Sequence, residues 1–322
     1  MQSVLPSLPI RRRIIGKRSV ALRAACEEVL LDCGEGVRLQ SFHSRPQKIG
    51  TQSNGRVTVL LHGWEGSADS LYIVSLATAL FERGFTVVRL NLRDHGATHH
   101  LNPDLFHSCR LPEVIGALRA IQRMYADAPL SLAGFSLGGN FMLRAAAKAA
   151  GSDLRIDHVV ALSPVLEPAE TMLALEKGWA TYHRYFVRKW GRSLLKKQAA
   201  WPKHFDIADL TRGHGLRHMT AELIRRFTDF PDLDAYLSGY AITGEVLAKL
   251  QVPSLIITAL DDPIIPVAAL DRIARPDSLR VMVLPHGGHC GFVEALFQPS
   301  WAEAQMVGAL CATPAASGGS VK

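Results

Sequence analysis

The chain has 322 residues, 48% of them hydrophobic and 20% charged, with a formal net charge of +7. That profile supports one large buried core or two small ones and excludes disordered and fibrous classes, and no apolar run approaches the roughly 18 residues needed to cross a bilayer. Five scattered cysteines (Cys26, Cys33, Cys109, Cys290 and Cys311), odd in number and without a CxxC pair, argue against a disulfide framework and a zinc knuckle and fit free thiols in a reducing compartment.

Residues 1–26 read as a basic N-terminal extension, with Arg11, Arg12, Arg13, Lys17, Arg18 and Arg23 and no acid before Glu27. No apolar stretch follows to make a secretory signal. An Arg-rich, acid-free start also has the make-up of an organellar presequence, but the cytoplasm is the expected location. From Glu27, EEVLLD, a CGEG turn and VRLQSFHS predict a β-hairpin. RVTVLLHG (56–63) is a short apolar run ending in His-Gly, as a buried strand ends. Ser67–Gly84 carries helical spacing, and Phe85–Leu92 is again a strand. After the polar loop RDHGATHHLNPD come a helix near Glu113–Ala126, a strand over Pro129–Phe135, a helix over Leu137–Ala150 and a strand over Ile156–Ser163.

This alternation predicts an α/β fold, a mostly parallel sheet with helices on both faces, whose first part spans 27–163. From 164 to 250 the text turns basic, aromatic and helical, without a clear strand, and reads as a helical insertion. Between Arg184 and Arg226 it holds eleven Lys/Arg against Asp206, Asp209 and Glu222. Such a run is a solvated helical face or a surface drawn to anionic lipid or an anionic substrate; without a binding motif it does not point to nucleic acid. The sheet pattern resumes over 251–311, with strands at Pro253–Leu260 and Leu279–Pro285 and helices near Val267–Ala274 and Val293–Cys311. Residues 312–322 read as a disordered polar tail.

Gly134-Phe135-Ser136-Leu137-Gly138 matches G-x-S-x-G between a predicted strand and a predicted helix. A sharp strand-to-helix turn exposes the serine hydroxyl and leaves no room for flanking side chains. The rival reading is a Gly-rich turn with an incidental serine; a phosphate loop is excluded because no Gly-Lys-Ser/Thr follows. A serine hydroxyl needs a base, and the base needs an orienting carboxylate, in the chain order Ser, Asp/Glu, His. Asp261-Asp262-Pro263 follows one later strand and His286-Gly287-Gly288-His289 the next. Asp262 is favoured over Asp261 and His289 over His286, with both alternatives open. The backbone N–H of Leu137 and that of Trp64, in His62-Gly63-Trp64-Glu65-Gly66, suit an oxyanion hole, with the Trp64 indole on the pocket wall. His62 itself reads as a structural, hydrogen-bonded histidine.

These segments resemble the α/β-hydrolase superfamily, and more closely its YheT-like branch of hydrolases and esterases. The branch's LHGxEGS element is similar to Leu61–Ser67, its G-[FY]-S-L-G-G-N elbow to Gly134–Asn140, its E-K-G segment and R-Y pair to Glu176-Lys177-Gly178 and Arg184-Tyr185, and its H-G-G-H-x-G-F end to His286–Phe292. The resemblance runs from about Glu27 to Leu310. It implies a triad of Ser136, Asp262 and His289, and a cap built from the insertion. The chain departs from the branch after Leu92, where Arg93-Asp94-His95-Gly96-Ala97-Thr98 replaces an RG[CS]SG-like turn that usually borders the acyl pocket.

The expected function is a serine hydrolase cleaving carboxylic esters through an acyl-enzyme. The alternatives are acyl transfer to an alcohol or thiol, and a non-catalytic module docked to anionic membrane. No cofactor is expected, and no metal: Gly96 and Pro103 break any helix that would align His95 and His99. The spacing His99-x4-Asp104, an acyltransferase pattern, is short enough to arise by chance. Trp179, Tyr182, Tyr185, Phe186 and Trp190 favour an ester with an apolar acyl or alcohol group, unless they simply pack the insertion against the sheet.

Overall fold

The computed structural model describes residues 8–211, 215–295 and 297–312. Helices α1 (Pro9–Arg18) and α2 (Val20–Ala24) lead into strands β1 (Cys26–Asp32) and β2 (Arg38–Ser44). Then follow β3 (Val57–Leu61), α3 (Leu71–Phe81), β4 (Thr86–Leu90), α4 (Leu111–Met124), β5 (Leu130–Phe135), α5 (Leu137–Ala149) and β6 (His158–Leu162). The insertion carries α6 (Pro168–Lys177), α7 (Ala180–Ala200), α8 (Leu216–Phe227) and α9 (Leu233–Ser238), and the chain closes with β7 (Ser254–Ala259), β8 (Leu279–Leu284) and α10 (Trp301–Cys311).

The strands form one eight-stranded sheet in the order β1-β2-β4-β3-β5-β6-β7-β8. β1 and β2 form the expected antiparallel hairpin, β2 also pairs antiparallel with β4, and the remaining pairs are parallel. This is the mostly parallel sheet that the alternation predicts, in the α/β-hydrolase fold that the resemblance implies. Parallel strands covered on both faces are apolar at successive positions. Leu61, Leu132, Val159 and Ile256 enter the cluster beneath α4 and α5, whereas Leu60, Ala133, Val160 and Ile257 enter the one beneath α3 and α10.

Of the N-terminal extension, residues 8–26 are described. Ile15 and Leu22 are buried in the second cluster, and the Arg11 guanidinium donates to the carbonyls of Ala295 and Gln298 at 3.3 and 2.9 Å. Residues 313–322, most of the expected tail, lie outside the described residues. Among the described residues no helix is long and apolar enough to cross a membrane. All five cysteines are free thiols.

Two helices differ from expectation. The segment near 267–274 is a 3-10 helix, Val267–Arg272. It starts after Pro266, and the backbone at its end pairs with Gly244: Gly244 N–H donates to Arg272 O at 2.7 Å and Ala274 N–H to Gly244 O at 3.1 Å. The last helix begins at Trp301 rather than Val293. Pro299 precedes it, and the Ser300 hydroxyl accepts the Glu303 N–H at 3.1 Å as N-cap. The carbonyls of Ala295 and Gln298 that a longer helix would use internally are taken by Arg11.

Candidate active site

Ser136 sits between β5 and α5 with φ 52° and ψ −121°. Such a conformation costs a residue with a Cβ about 1–3 kcal/mol and persists only where its surroundings hold it. Ser136 N–H donates to Leu162 O on the neighbouring strand at 2.9 Å, and Ser136 O accepts the Asn140 N–H at 3.1 Å. A Cβ at Gly134 would lie 2.4 Å from the Gly138 carbonyl, and one at Gly138 would lie 2.3 Å from Leu61 O. Both positions must therefore be glycine. The Asn140 side chain ties the elbow to the insertion's two ends, donating to Val165 O at 2.9 Å and Tyr240 O at 2.8 Å.

Ser136 Oγ is 3.0 Å from His289 Nε2, and His289 Nδ1 is 2.9 Å from Asp262 Oδ2. The Asp262 side chain is fully buried, and its Oδ1 accepts the N–H groups of Ile264 and Ile265 at 2.9 and 3.0 Å. Burial alone would raise its carboxyl, but the His289 charge and these hydrogen bonds outweigh it and hold it below the usual carboxylate range. For His289, burial acts to lower the pKa, but Asp262 outweighs it and carries the imidazole well above its ordinary value. With Nδ1–H committed to Asp262, neutral His289 presents Nε2 as acceptor toward the Ser136 hydroxyl.

Asp261 and His286 are not part of this line. The His286 side chain is exposed, and Asp261 Oδ1 accepts the N–H groups of Gly287 and Gly288 at 2.8 and 2.7 Å. Asp261 thus shapes the loop that carries His289. Nothing in the sequence marks that role, because its donors are backbone amides 26 and 27 positions away.

The loop after β3 lies against the serine: a Cβ on Gly63 would be 3.1 Å from Ser136 Cβ. Its amides are spoken for in turn. Gly63 N–H donates to Tyr72 Oη (3.1 Å), Glu65 N–H to His95 Nε2 (3.1 Å) and Gly66 N–H to Gly63 O (2.9 Å). Among the described residues, the Trp64 and Leu137 amides have no protein acceptor. His62 bonds on both sides, Nδ1–H to Gly63 O at 2.8 Å and Nε2 from Leu92 N–H at 3.3 Å, and burial pushes it down to about 4. It is a structural histidine. The sequence reading missed Tyr72 and His95, which fix this loop from positions that carry no motif.

Ser136 and His289 open onto a cavity of about 670 Å³ beneath the insertion, with Trp64 and Leu137 in its wall. The Trp64 indole stacks on Phe186 of α7, with ring centroids 5.4 Å apart, and meets Trp190 edge-on at 5.2 Å. Tyr182, Phe186 and Trp190 both line the cavity and pack on the core. Trp179 and Tyr185 line it while 64% and 54% exposed, so a purely packing role does not describe them.

The divergent loop at 93–98 is not in the cavity wall, contrary to the expectation that it borders the acyl pocket. Its side chains anchor neighbouring elements instead. Arg93 pairs with Glu113 at 2.6 Å, Asp94 with Lys197 of α7 at 2.7 Å, and His95 supports the Trp64 loop. His99 bonds Ser193 on α7 at 2.9 Å, and the Asp104 carboxylate lies 3.9 and 3.7 Å from Arg93 and Arg110, so His99 and Asp104 do not act as a pair.

Residues 57–296 match the family model described as alpha/beta hydrolase fold, and the chain belongs to that family. It is 29% identical over 262 residues to the Escherichia coli protein named "Putative esterase YheT", covering 77% of this chain and 74% of that protein, which sets it in the YheT-like branch. It is also 23% identical over 273 residues to phospholipase ABHD3 of Bos taurus, covering 82% of this chain but only 65% of that protein's length. Among solved structures, the esterase Pf2001 of Pyrococcus furiosus shares the fold at a TM-score of 0.60 and 13% identity, covering 91% of this chain and 94% of that one. The protein is a hydrolase of this fold with esterases among its relatives.

Proposed function

We propose that the protein is a serine hydrolase that cleaves carboxylic esters carrying an apolar acyl or alcohol group. The observation that carries this reading is the unbroken hydrogen-bonded line from Ser136 through His289 to a buried Asp262, opening on a largely apolar cavity. Ser136 Oγ attacks the acyl carbonyl as His289 Nε2 takes its proton. Asp262 holds the ring in the right tautomer and balances the imidazolium. The uncommitted amides of Leu137 and Trp64 receive the developing oxyanion. His289 then gives its proton to the leaving alcohol, and water, deprotonated by the same nitrogen, releases the acid.

The names of the relatives, an esterase and a phospholipase, agree with an ester substrate of lipid character. Exposed Arg184, Arg188, Arg192 and Lys196 along α7 favour peripheral contact with an anionic lipid surface. The test is a 4-nitrophenyl ester series graded by acyl length, run beside Ser136→Ala. The wild type turns over the series with KM falling as the chain lengthens, and Ser136→Ala keeps its circular dichroism spectrum but loses turnover and labelling by a fluorophosphonate. Turnover by Ser136→Ala equal to wild type overturns the reading.

A further inference from the structure

The cavity that holds Ser136 contains two cationic side chains, Arg12 from α1 and Lys189 from α7, and no Asp or Glu in its wall. Neither cation is matched by a carboxylate. Among the described residues, the Arg12 guanidinium has no acceptor, and Lys189 Nζ meets only the Tyr185 hydroxyl at 3.2 Å, over the ring of the same residue. Glu65 feels the charge of Lys189 but, among the described residues, forms no ion pair with it.

Arg12 is exposed and Lys189 half-buried, so both stay charged without a protein partner and are available to an anion that enters the apolar cavity. α1 is held where Arg12 reaches the cavity: the adjacent Arg11 is buried and bonded to the carbonyls of Ala295 and Gln298 in the segment that follows His289. Lys189 sits one position before Trp190, whose ring contacts the Trp64 indole.

We propose that Arg12 and Lys189 form an anion subsite, and that the substrate is an amphiphile bearing an acidic oxyanion group, carboxylate or phosphate, on the same molecule as its ester. This rests on the ester-hydrolase reading for the reacting bond but not for the binding. The ester carbonyl lies at Ser136, the apolar portion lies along Phe186, Leu175 and Met172, and the acidic group reaches the two cations.

The test separates binding from turnover by using Ser136→Ala, with quenching of Trp64, Trp179 and Trp190 as the signal. Decyl phosphate and decanoate are each titrated against decanol, below micelle-forming concentrations. At least one of the two acids binds about tenfold or more tightly than decanol, as expected for a charge-assisted contact, and the preferred one identifies the acid. Lys189→Met and Arg12→Gln each reduce that ratio to about threefold or less, whereas Lys189→Arg preserves it. Equal binding of decanol and both acids, or a ratio unmoved by both neutral substitutions, overturns the proposal. An anion preference in a protein that hydrolyses no ester supports the subsite and removes the hydrolase reading instead.

Discussion

Asp261 and Asp262 are neighbours in sequence with different tasks. One accepts the Gly287 and Gly288 amides and shapes the loop; the other accepts from the His289 ring. Asp262→Asn therefore lowers kcat by about 10⁴, because the ring loses its tautomer partner. Asp261→Ala only loosens the loop, and a displacement on the order of 1 Å costs up to roughly 10²-fold. Steady-state kinetics on the pair check the ordering, and an Asp261 effect larger than that of Asp262 reverses the assignment. The same contact fixes a pH profile. The raised His289 pKa means that neutral, proton-accepting imidazole appears only above the ordinary histidine value of 6.5. kcat/KM thus rises with pH through a midpoint above 6.5, and Asp262→Asn moves that midpoint down in its residual activity. The turn that presents Ser136 was legible from the glycines around it, since a Cβ at Gly134 or Gly138 would run into backbone. The task of Asp261 was not, because a carboxylate bonding to backbone leaves no trace in residue type.

The elements were readable where burial alone dictates residue type. β3, β4 and β5 are buried along their whole length, and such short, largely apolar runs between turn signals read as strands by their length. Bounds failed where hydrogen bonds leave the element, as at Val267–Arg272, whose last carbonyl goes to Gly244, and before Trp301, where Arg11 takes the carbonyls. The docking of α7 was equally hidden. Lys197 reads as one more member of a basic run, yet its ammonium is buried on Asp94, 103 positions away, and on Asn102 O at 2.6 Å. Burial lowers Lys197 and raises Asp94, and each acts against that shift in the other. Lys197→Met leaves Asp94 buried without its cation and destabilises the protein by about 3–5 kcal/mol, read as a shift in the urea midpoint. Mutating exposed Arg188 to Met changes the stability by about 0.5 kcal/mol or less, leaving the midpoint nearly in place.

Across the whole molecule, the parallel strands deliver the loops after β3, β5, β7 and β8 to one rim, which is why residues far apart in sequence meet there. They do not arrive with equal support. β5, which presents Ser136, is held between β3 and β6, whereas β8, which leads to His289, is an edge strand bonded only to β7. Local opening begins where neighbours are fewest. Warming should therefore silence the enzyme at a lower temperature than the one at which its helices melt: the anvil stays in place while the hammer swings away, and prompt cooling restores the stroke.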